Sequence, residues 1–458
     1  MHSAGINMKV HLTSLGCARN QIDSEVMLGR LKLAGAVITD DPAEAEVIIV
    51  NTCSFIQSAA DESIDTVLEL AKYKVDGNCR RLAVTGCLPE RYRDDIVRAI
   101  PEVDVFLGTG AFDKIVEVVD GYPDISGCIL PDPDSLDPSS AGGSRVRRLS
   151  HMAYLKIAEG CSKHCTYCII PKLRGKQKSR SVEDIVAEAQ QLVQSGVQEL
   201  VLVSQDTTAY GRDLSGNAGL AHLLQQLAEI PPARKLLDSS VSEPEPFWIR
   251  FLYGHPESID DAVIKTVAEY ENICSYFDIP IQHGSNPILK KMGRGYSRGD
   301  IHRLADRIRT TLPGAAIRTT VIVGFPGETD AAFADLMDLV KGIRFNHLGA
   351  FIYSDAEDLP SHNLSDHVPE SVAKDRFETL MASQAGISLE HNRKYIGKTM
   401  RVLIEERQED NLFTGRTALQ APEVDGVTYI QASRLQAGCM TDVKFTDAFE
   451  YDLVGEPA

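Results

Sequence analysis

The chain has 458 residues, 43% of them hydrophobic and 24% charged, an ordinary globular composition with room for two or three domains. No apolar run approaches the ~18 residues a membrane helix needs and no secretory leader is legible, so the ten cysteines are expected to be thiols or ligands in a reducing, cytoplasmic setting. A net charge of −18 at pH 7 argues against a broad nucleic-acid footprint and for a basic partner or a small-molecule substrate.

The first third of the chain repeats one pattern. Lys9-Val-His-Leu-Thr-Ser-Leu-Gly-Cys17, Glu46-Val-Ile-Ile-Val-Asn-Thr-Cys53 and Arg81-Leu-Ala-Val-Thr-Gly-Cys87 each run from a β-prone stretch through small or polar residues to a cysteine. Behind them, residues 23–33, 58–72 and 90–100 carry apolar positions at helical spacing. Strand, loop and helix in repetition predict a parallel sheet, and such sheets gather ligands beyond the carboxyl ends of their strands. Cys17, Cys53 and Cys87 all fall there, so they are expected to converge as three thiolate ligands of an iron–sulfur cluster with one iron open. Taken singly, each also fits a buried free thiol. Residues 8–122 are expected to form this domain.

Pro131-Asp-Pro-Asp-Ser-Leu-Asp-Pro-Ser-Ser-Ala-Gly-Gly143 has little to bury and predicts a linker over 123–146. A second α/β series then begins, with candidate strands at 153–158, 199–204, 248–253, 275–281, 317–324 and 348–353 and helical stretches between most of them. Six β/α units are too many for a small open sheet and too few for a closed eight-unit barrel. They predict a partial (β/α)6 barrel over 147–388, with its chemistry at the C-terminal ends of the strands. There, Cys161-Ser-Lys-His-Cys165-Thr-Tyr-Cys168 crowds three thiols into eight residues. Three thiolates again make a cluster ligand set with one open iron, whereas structural zinc wants four ligands in paired units and no second pair follows. The basic run Lys172-Leu-Arg-Gly-Lys-Gln-Lys-Ser-Arg180 is a local basic patch within the acidic total, with a solvated loop that offsets cluster and carboxylate charge as the plainer reading, and residues 231–246 are expected to be an irregular surface insertion. Cys79, Cys128, Cys274 and Cys439 lie away from the ligand positions and are expected to be bystanders. His283 is expected to be a hydrogen-bonded core histidine.

Residues 389–458 change character. Short alternating strands at 399–405, 412–417, 426–432 and 441–451 predict a small antiparallel β-barrel, OB-like in size. Over 391–458 there are eight Lys and Arg against eleven Asp and Glu, a balance that suits a basic protein better than phosphate.

The assembly resembles the methylthiotransferase family from end to end. The matching residues are Ser14-Leu-Gly-Cys-Ala-Arg-Asn-Gln-Ile-Asp-Ser-Glu25, Val50-Asn-Thr-Cys-Ser-Phe55, Val84-Thr-Gly-Cys-Leu88, Glu159-Gly-Cys-Ser-Lys-His-Cys-Thr-Tyr-Cys-Ile-Ile-Pro171 and Gly324-Phe-Pro-Gly-Glu-Thr329, together with a TRAM-like terminal barrel. Val203-Ser-Gln-Asp-Thr-Thr-Ala-Tyr-Gly211, Asp278-Ile-Pro-Ile-Gln-His-Gly-Ser285 and Ala421-Pro-Glu-Val-Asp-Gly426 are similar to the RimO-type branch, which modifies a ribosomal protein. So is Cys17-Ala-Arg-Asn, where the tRNA-modifying branch usually carries Cys-Gln-Met-Asn. The resemblance implies two 4Fe–4S clusters, S-adenosylmethionine (SAM), and transfer of a methylthio group to the β-carbon of an aspartate in the twelfth protein of the small ribosomal subunit. It implies that the cluster at Cys161, Cys165 and Cys168 cleaves SAM to a radical able to attack an unactivated methylene, while the cluster at Cys17, Cys53 and Cys87 presents the sulfur. Tyr167 would contact the adenine through its backbone. Ser204 and Gln205 are candidates for the cofactor's amine, with packing or capping as the other reading. An electron donor such as flavodoxin or ferredoxin is implied, with no membrane and no tRNA partner, and the acidic tail is expected to dock the substrate through Glu405, Glu406 and Asp425. The alternatives are a tRNA (adenosine) methylthiotransferase, against which the tail's acidity speaks, and a non-catalytic iron–sulfur redox protein. Electron carriers normally complete each cluster with four protein ligands, which speaks against the latter.

Overall fold

The computed structural model describes residues 8–121, 125–141, 145–147, 149–216, 219–232 and 247–458. The chain packs as two compact units, one of Met1–Arg148, Lys156–His164 and Cys168–Glu188, the other of Leu149–Leu155, Cys165–Tyr167 and Ala189–Ala458.

In the first unit the β-branched runs form β1 (Lys9–Ser14), β2 (Val37–Ile38), β3 (Val47–Thr52), β4 (Arg81–Gly86), β5 (Val105–Leu107) and β6 (Gly127–Ile129). All pair in parallel, in the order β2-β1-β3-β4-β5-β6. β3 and β4 are buried at every position, which is why they read as continuous rather than alternating apolar runs. Their register, Ser14 opposite Asn51 and Thr52 opposite Gly86, brings the carboxyl ends of β1, β3 and β4 level. Helices Ala18–Leu33 and Gln57–Ala71 follow β1 and β3 as predicted, and Ala60, Val67 and Leu70 pack in one core with Ile48, Val50, Leu82 and Val84. The single helix expected at 90–100 is instead two, Cys87–Tyr92 and Asp94–Ala99, broken where Arg93 turns to φ 48° and its N–H closes on Pro89 O at 2.8 Å. The stretch read only as a linker contributes β6 to the sheet edge, and residues 122–124 and 142–144 lie outside the described residues.

The barrel strands and one short ribbon follow in chain order: β7 (Met152–Lys156), the ribbon β8 (Ala158–Glu159) and β9 (Lys178–Ser179), β10 (Glu199–Val203), β11 (Trp248–Phe251), β12 (Tyr276–Asp278), β13 (Ala316–Val323) and β14 (His347–Ile352). All six barrel strands fall where the sequence predicts them. They form two three-stranded sheets, β11-β10-β7 and β12-β13-β14, with the bridge Ile249–Ile273 between them, so the barrel is open with β7 and β14 at its outer edges. Of the expected insertion at 231–246, residues 233–246 lie outside the described residues.

The tail is a closed five-stranded barrel, β15 (Thr399–Glu409), β16 (Leu412–Thr417), β17 (Thr428–Gln431), β18 (Met440–Ala448) and β19 (Leu453–Pro457), in the order β15-β16-β17-β19-β18. Val402, Ile404, Phe413, Ile430, Val443 and Phe445 fill it. Two details differ from expectation. The strand read as 441–451 ends at Ala448 and a fifth strand follows, and β17 and β19 run parallel. The second follows from the first, because an odd number of strands cannot alternate direction all the way round a closed ring.

Candidate functional site

Cys17 lies three residues past β1, Cys53 one past β3 and Cys87 one past β4, on neighbouring strands of one sheet edge. Two glycines permit this. Gly16 has φ +88°, and a Cβ there would stand 2.7 Å from Cys53 Cβ and 3.2 Å from Cys53 Sγ. Gly86 has φ +96°, and its Cβ would meet Asn51 Oδ1 at 2.4 Å and Thr52 O at 2.6 Å. Buried amides then tie the loops together. Asn20 Nδ2 donates to Leu15 O (3.0 Å) and Thr52 O (2.9 Å), and Asn51 Nδ2 donates to Asn20 O (2.8 Å) and Ser24 Oγ (2.9 Å). Ser63 Oγ donates to Cys53 O at 2.8 Å and accepts from Cys53 N at 3.1 Å.

A cation that the sequence alone presents within a solvated basic run lies at this edge. Arg174 is buried, with Nη2 3.8 Å from Cys87 Sγ and 2.5 Å from Asn20 Oδ1, and Nη1 3.1 Å from both Asp23 Oδ2 and Glu159 Oε1. Buried Lys156 closes the network on Glu159 at 2.7 Å and on Asp23. Burial pushes the Cys53 thiol up, with the Cys17 charge adding to it, and pushes Cys87 up to about 11 against the pull of Arg174. At Cys17 burial acts the same way, but Arg19 and Arg174 outweigh it and hold the thiol below its ordinary range. The basic run at 172–180 is therefore not a solvated loop throughout. Arg174 and Arg180 are buried, and Arg180 pairs with Glu188 and Asp184, each at 2.7 Å. The carboxylates these cations offset are themselves mostly buried, and a buried charge needs its partner beside it.

The second cysteine set leaves the β8 end through Gly160 (φ +80°), where a Cβ would lie 2.1 Å from Lys176 O, and Cys161 N–H donates to Gly175 O at 3.0 Å. Cys161 and Cys168 belong to the first unit, Cys165 and Tyr167 to the second. Within the second, Thr166 N–H donates to Met292 O (3.1 Å) and its hydroxyl to Lys291 O (2.9 Å). The Tyr167 ring stands edge-on to Phe325 with centroids 6.3 Å apart, and Arg294 bonds its hydroxyl. Ser204 is buried and Gln205 half-buried just past β10, and Ser204 N–H donates to Thr207 Oγ1 at 3.1 Å. His283 is buried and accepts Ser285 N–H at 2.9 Å, the core histidine expected.

Among the described residues no three His, Cys, Asp or Glu side chains gather round one point closely enough to hold a single metal ion. A cluster asks something else, since each iron takes one thiolate and the sulfurs stand apart. Three thiols at one sheet edge, with a guanidinium on one of them, fit a cluster better than zinc. Cys79 precedes β4 at the sheet's opposite edge, Cys128 sits within β6, Cys274 is buried in the second unit, and Cys439 lies just before β18. Asp425 is no docking residue. Its carboxylate is buried, accepting Tyr276 Oη–H at 2.6 Å and Ala421 N–H at 2.8 Å, with Arg318 Nε at 3.4 Å. Glu405 is engaged by Arg416 at 2.8 Å, leaving Glu406 exposed.

Residues 9–108 match the family described as uncharacterized protein family UPF0004, residues 155–340 the radical SAM superfamily and residues 396–457 the TRAM domain. A protein of Desulfosudis oleivorans named ribosomal protein uS12 methylthiotransferase RimO is 49% identical over 98% of this chain and 100% of its own length. Its namesake from Clostridioides difficile is 46% identical over 98% of both. The chain belongs to the RimO-type methylthiotransferase family. As in the sequence reading of that family, its fold joins a parallel α/β domain, a radical SAM barrel and a TRAM-like barrel. A radical SAM methyltransferase of Kitasatospora setae, TsrM, shares the fold at a TM-score of 0.57 and 12% identity, covering 83% of this chain and 89% of that one. Arg174 escaped the sequence reading of this RimO-type chain because a cation in a basic run looks solvated. The one local signal was its place in the helical turn Ile170–Arg174, directly behind the cysteine loop.

Proposed function

We propose that this protein attaches a methylthio group to the β-carbon of an aspartate of ribosomal protein uS12, holding one 4Fe–4S cluster with Cys161, Cys165 and Cys168 and another with Cys17, Cys53 and Cys87. One observation carries the reading: two three-thiol sets on a chain 49% identical, end to end, to a protein named for that activity. When bound, SAM and the two clusters supply radical hydrogen abstraction and the transferable methylated sulfur. The chain's own part is placement. Gly16 and Gly86 let three strand ends present thiols side by side, and Arg174 turns one N–H toward Cys87 Sγ. The ring of Tyr167 is pinned by Phe325 and Arg294, so that its peptide would contact the adenine, and Ser204 and Gln205 at the β10 end would hold the cofactor's amine. A flavodoxin- or ferredoxin-like donor supplies electrons, the setting is cytoplasmic, and tRNA is not a substrate. The division into 8–122, 147–388 and 389–458 accompanies this reading.

The test is anaerobic incubation with SAM, sulfide and reductant, offered either small ribosomal subunits or tRNA, followed by mass spectrometry. A methylthio mass increment on a uS12 aspartate is expected. Modification of tRNA with uS12 untouched would overturn the substrate.

A further inference from the structure

Arg174 touches more than the cysteine edge needs for charge neutrality alone. Within its network Arg174 and Lys156 carry two positive charges and Asp23 and Glu159 two negative ones, so the four groups balance without any thiolate. The guanidinium nevertheless spends Nη2 on Asn20 Oδ1 and on Cys87 Sγ, 3.8 Å away. Asn20 is the residue whose amide ties the loops behind Cys17 and Cys53. One residue further on, Gly175 O accepts the N–H of Cys161 at 3.0 Å, and Leu173 O accepts Thr109 Oγ1–H at 2.5 Å. The turn is thereby fastened to the first unit on both sides of Arg174.

We infer that Arg174 is a positioning residue that holds the Cys87 thiolate by an N–H···S bond and so sets the reduction potential of the cluster at Cys17, Cys53 and Cys87, while its backbone turn merely anchors the Cys161 loop. The inference rests on the assignment of those three cysteines as cluster ligands. Hydrogen bonds to ligand sulfur stabilise the reduced, more negative form of a cluster and raise its potential. A fork of donors can bond sulfur, amide and carboxylates at once, which a single ammonium cannot do in the same geometry.

The test uses the full chain carrying Cys161→Ala, Cys165→Ala and Cys168→Ala, reconstituted anaerobically so that one cluster remains. Its midpoint potential is read by redox titration with electron paramagnetic resonance, before and after adding Arg174→Leu together with Asp23→Asn. That pair removes one charge of each sign and leaves Lys156 on Glu159, so the buried network stays balanced. The midpoint is expected to fall, with Arg174→Lys alone giving an intermediate value. In the reciprocal background, with Cys17→Ala, Cys53→Ala and Cys87→Ala, the same pair should leave the midpoint where it was, because that contact is made by backbone. Loss of iron from the first background with an unchanged thermal melt also supports the holding role. An unmoved midpoint in the first background, or equal shifts in both, overturns the inference alone. A first background that binds no iron overturns the ligand assignment and the inference with it.

Discussion

At the scale of single residues, Gly86 decides whether Cys87 can stand where it does. Its φ of 96° and ψ of −147° lie in a region essentially reserved for glycine, and the space a Cβ would need is already held by Asn51 Oδ1 and Thr52 O. Gly86→Ala is expected to cost about 1–3 kcal/mol in denaturant unfolding and to lower iron bound per reconstituted chain. An alanine variant with wild-type stability and iron would show that the β4 exit is unconstrained. Two acidic residues of the tail part company in the same way. Asp425→Lys breaks a buried, hydrogen-bonded carboxylate and is expected to cost about 3–5 kcal/mol. Glu406→Lys, on an exposed strand position, should stay within about 0.5 kcal/mol by thermal melt and slow uS12 modification only at low salt. By sequence the two look alike, because Ala421-Pro-Glu-Val-Asp-Gly426 has the composition of an exposed turn. The Tyr276 hydroxyl that claims Asp425 comes from 149 residues away, and nothing local announces it.

At the scale of elements, the tail barrel's β16 carries Arg416 to Glu199 of β10 at 2.6 Å and to Glu405 of β15 at 2.8 Å. Arg250 of β11 takes the other oxygen of Glu199 at 2.8 Å and lies 4.8 Å over the Tyr276 ring. Burial works to raise the Glu199 carboxyl, but Arg416 and Arg250 prevail and hold it down at about 2. A folded value below the ordinary 4.5 means stability that is present above about pH 4.5 and is lost as pH falls toward 2. His391 adds an earlier loss. Burial, ahead of nearby cations and against its bond to Arg344 O, lowers it to about 4, so the unfolded chain takes up this proton first and stability falls between about pH 6.5 and 4. Unfolding free energy measured against pH should therefore decline in two stages. His391→Gln should flatten the upper stage, and Arg416→Met should cost about 3–5 kcal/mol at pH 7 and shrink the lower one. A single decline near pH 4 in the parent, untouched by either change, would contradict both assignments.

At the scale of the whole molecule, net charge is the property that reaches a partner before any contact forms. At −18 the chain should draw in a basic ribosomal protein, with an attraction that decays over a Debye length of about 8–10 Å at moderate salt. The apparent second-order rate on uS12 is expected to fall as salt rises, while SAM cleavage without substrate at saturating SAM stays level, since it involves no encounter between two charged macromolecules. A rate on uS12 indifferent to salt would remove the electrostatic argument for the basic substrate. No helix among the described residues is long and apolar enough to cross a membrane.

Much of this protein was legible from the residues alone, and for a common reason. Strand-to-helix periodicity, β-prone runs that end in a cysteine and thiol spacing are local patterns, and local patterns suffice to place the six barrel strands, the three cysteines at one sheet edge and the acidic tail barrel. What only the tertiary structure decided are the long-range electrostatic partners and the closures. Arg174 reads as a surface cation until Asp23, Asn20 and Cys87, far earlier in the chain, surround it. Asp425 reads as a docking acid until Tyr276 and Arg318 bury it. The fifth strand and its parallel pairing likewise depend on how the barrel closes rather than on the residues 453–457 themselves. The desolvation that makes a charged side chain structural is a property of its surroundings, and for these residues the surroundings are assembled from distant parts of the chain.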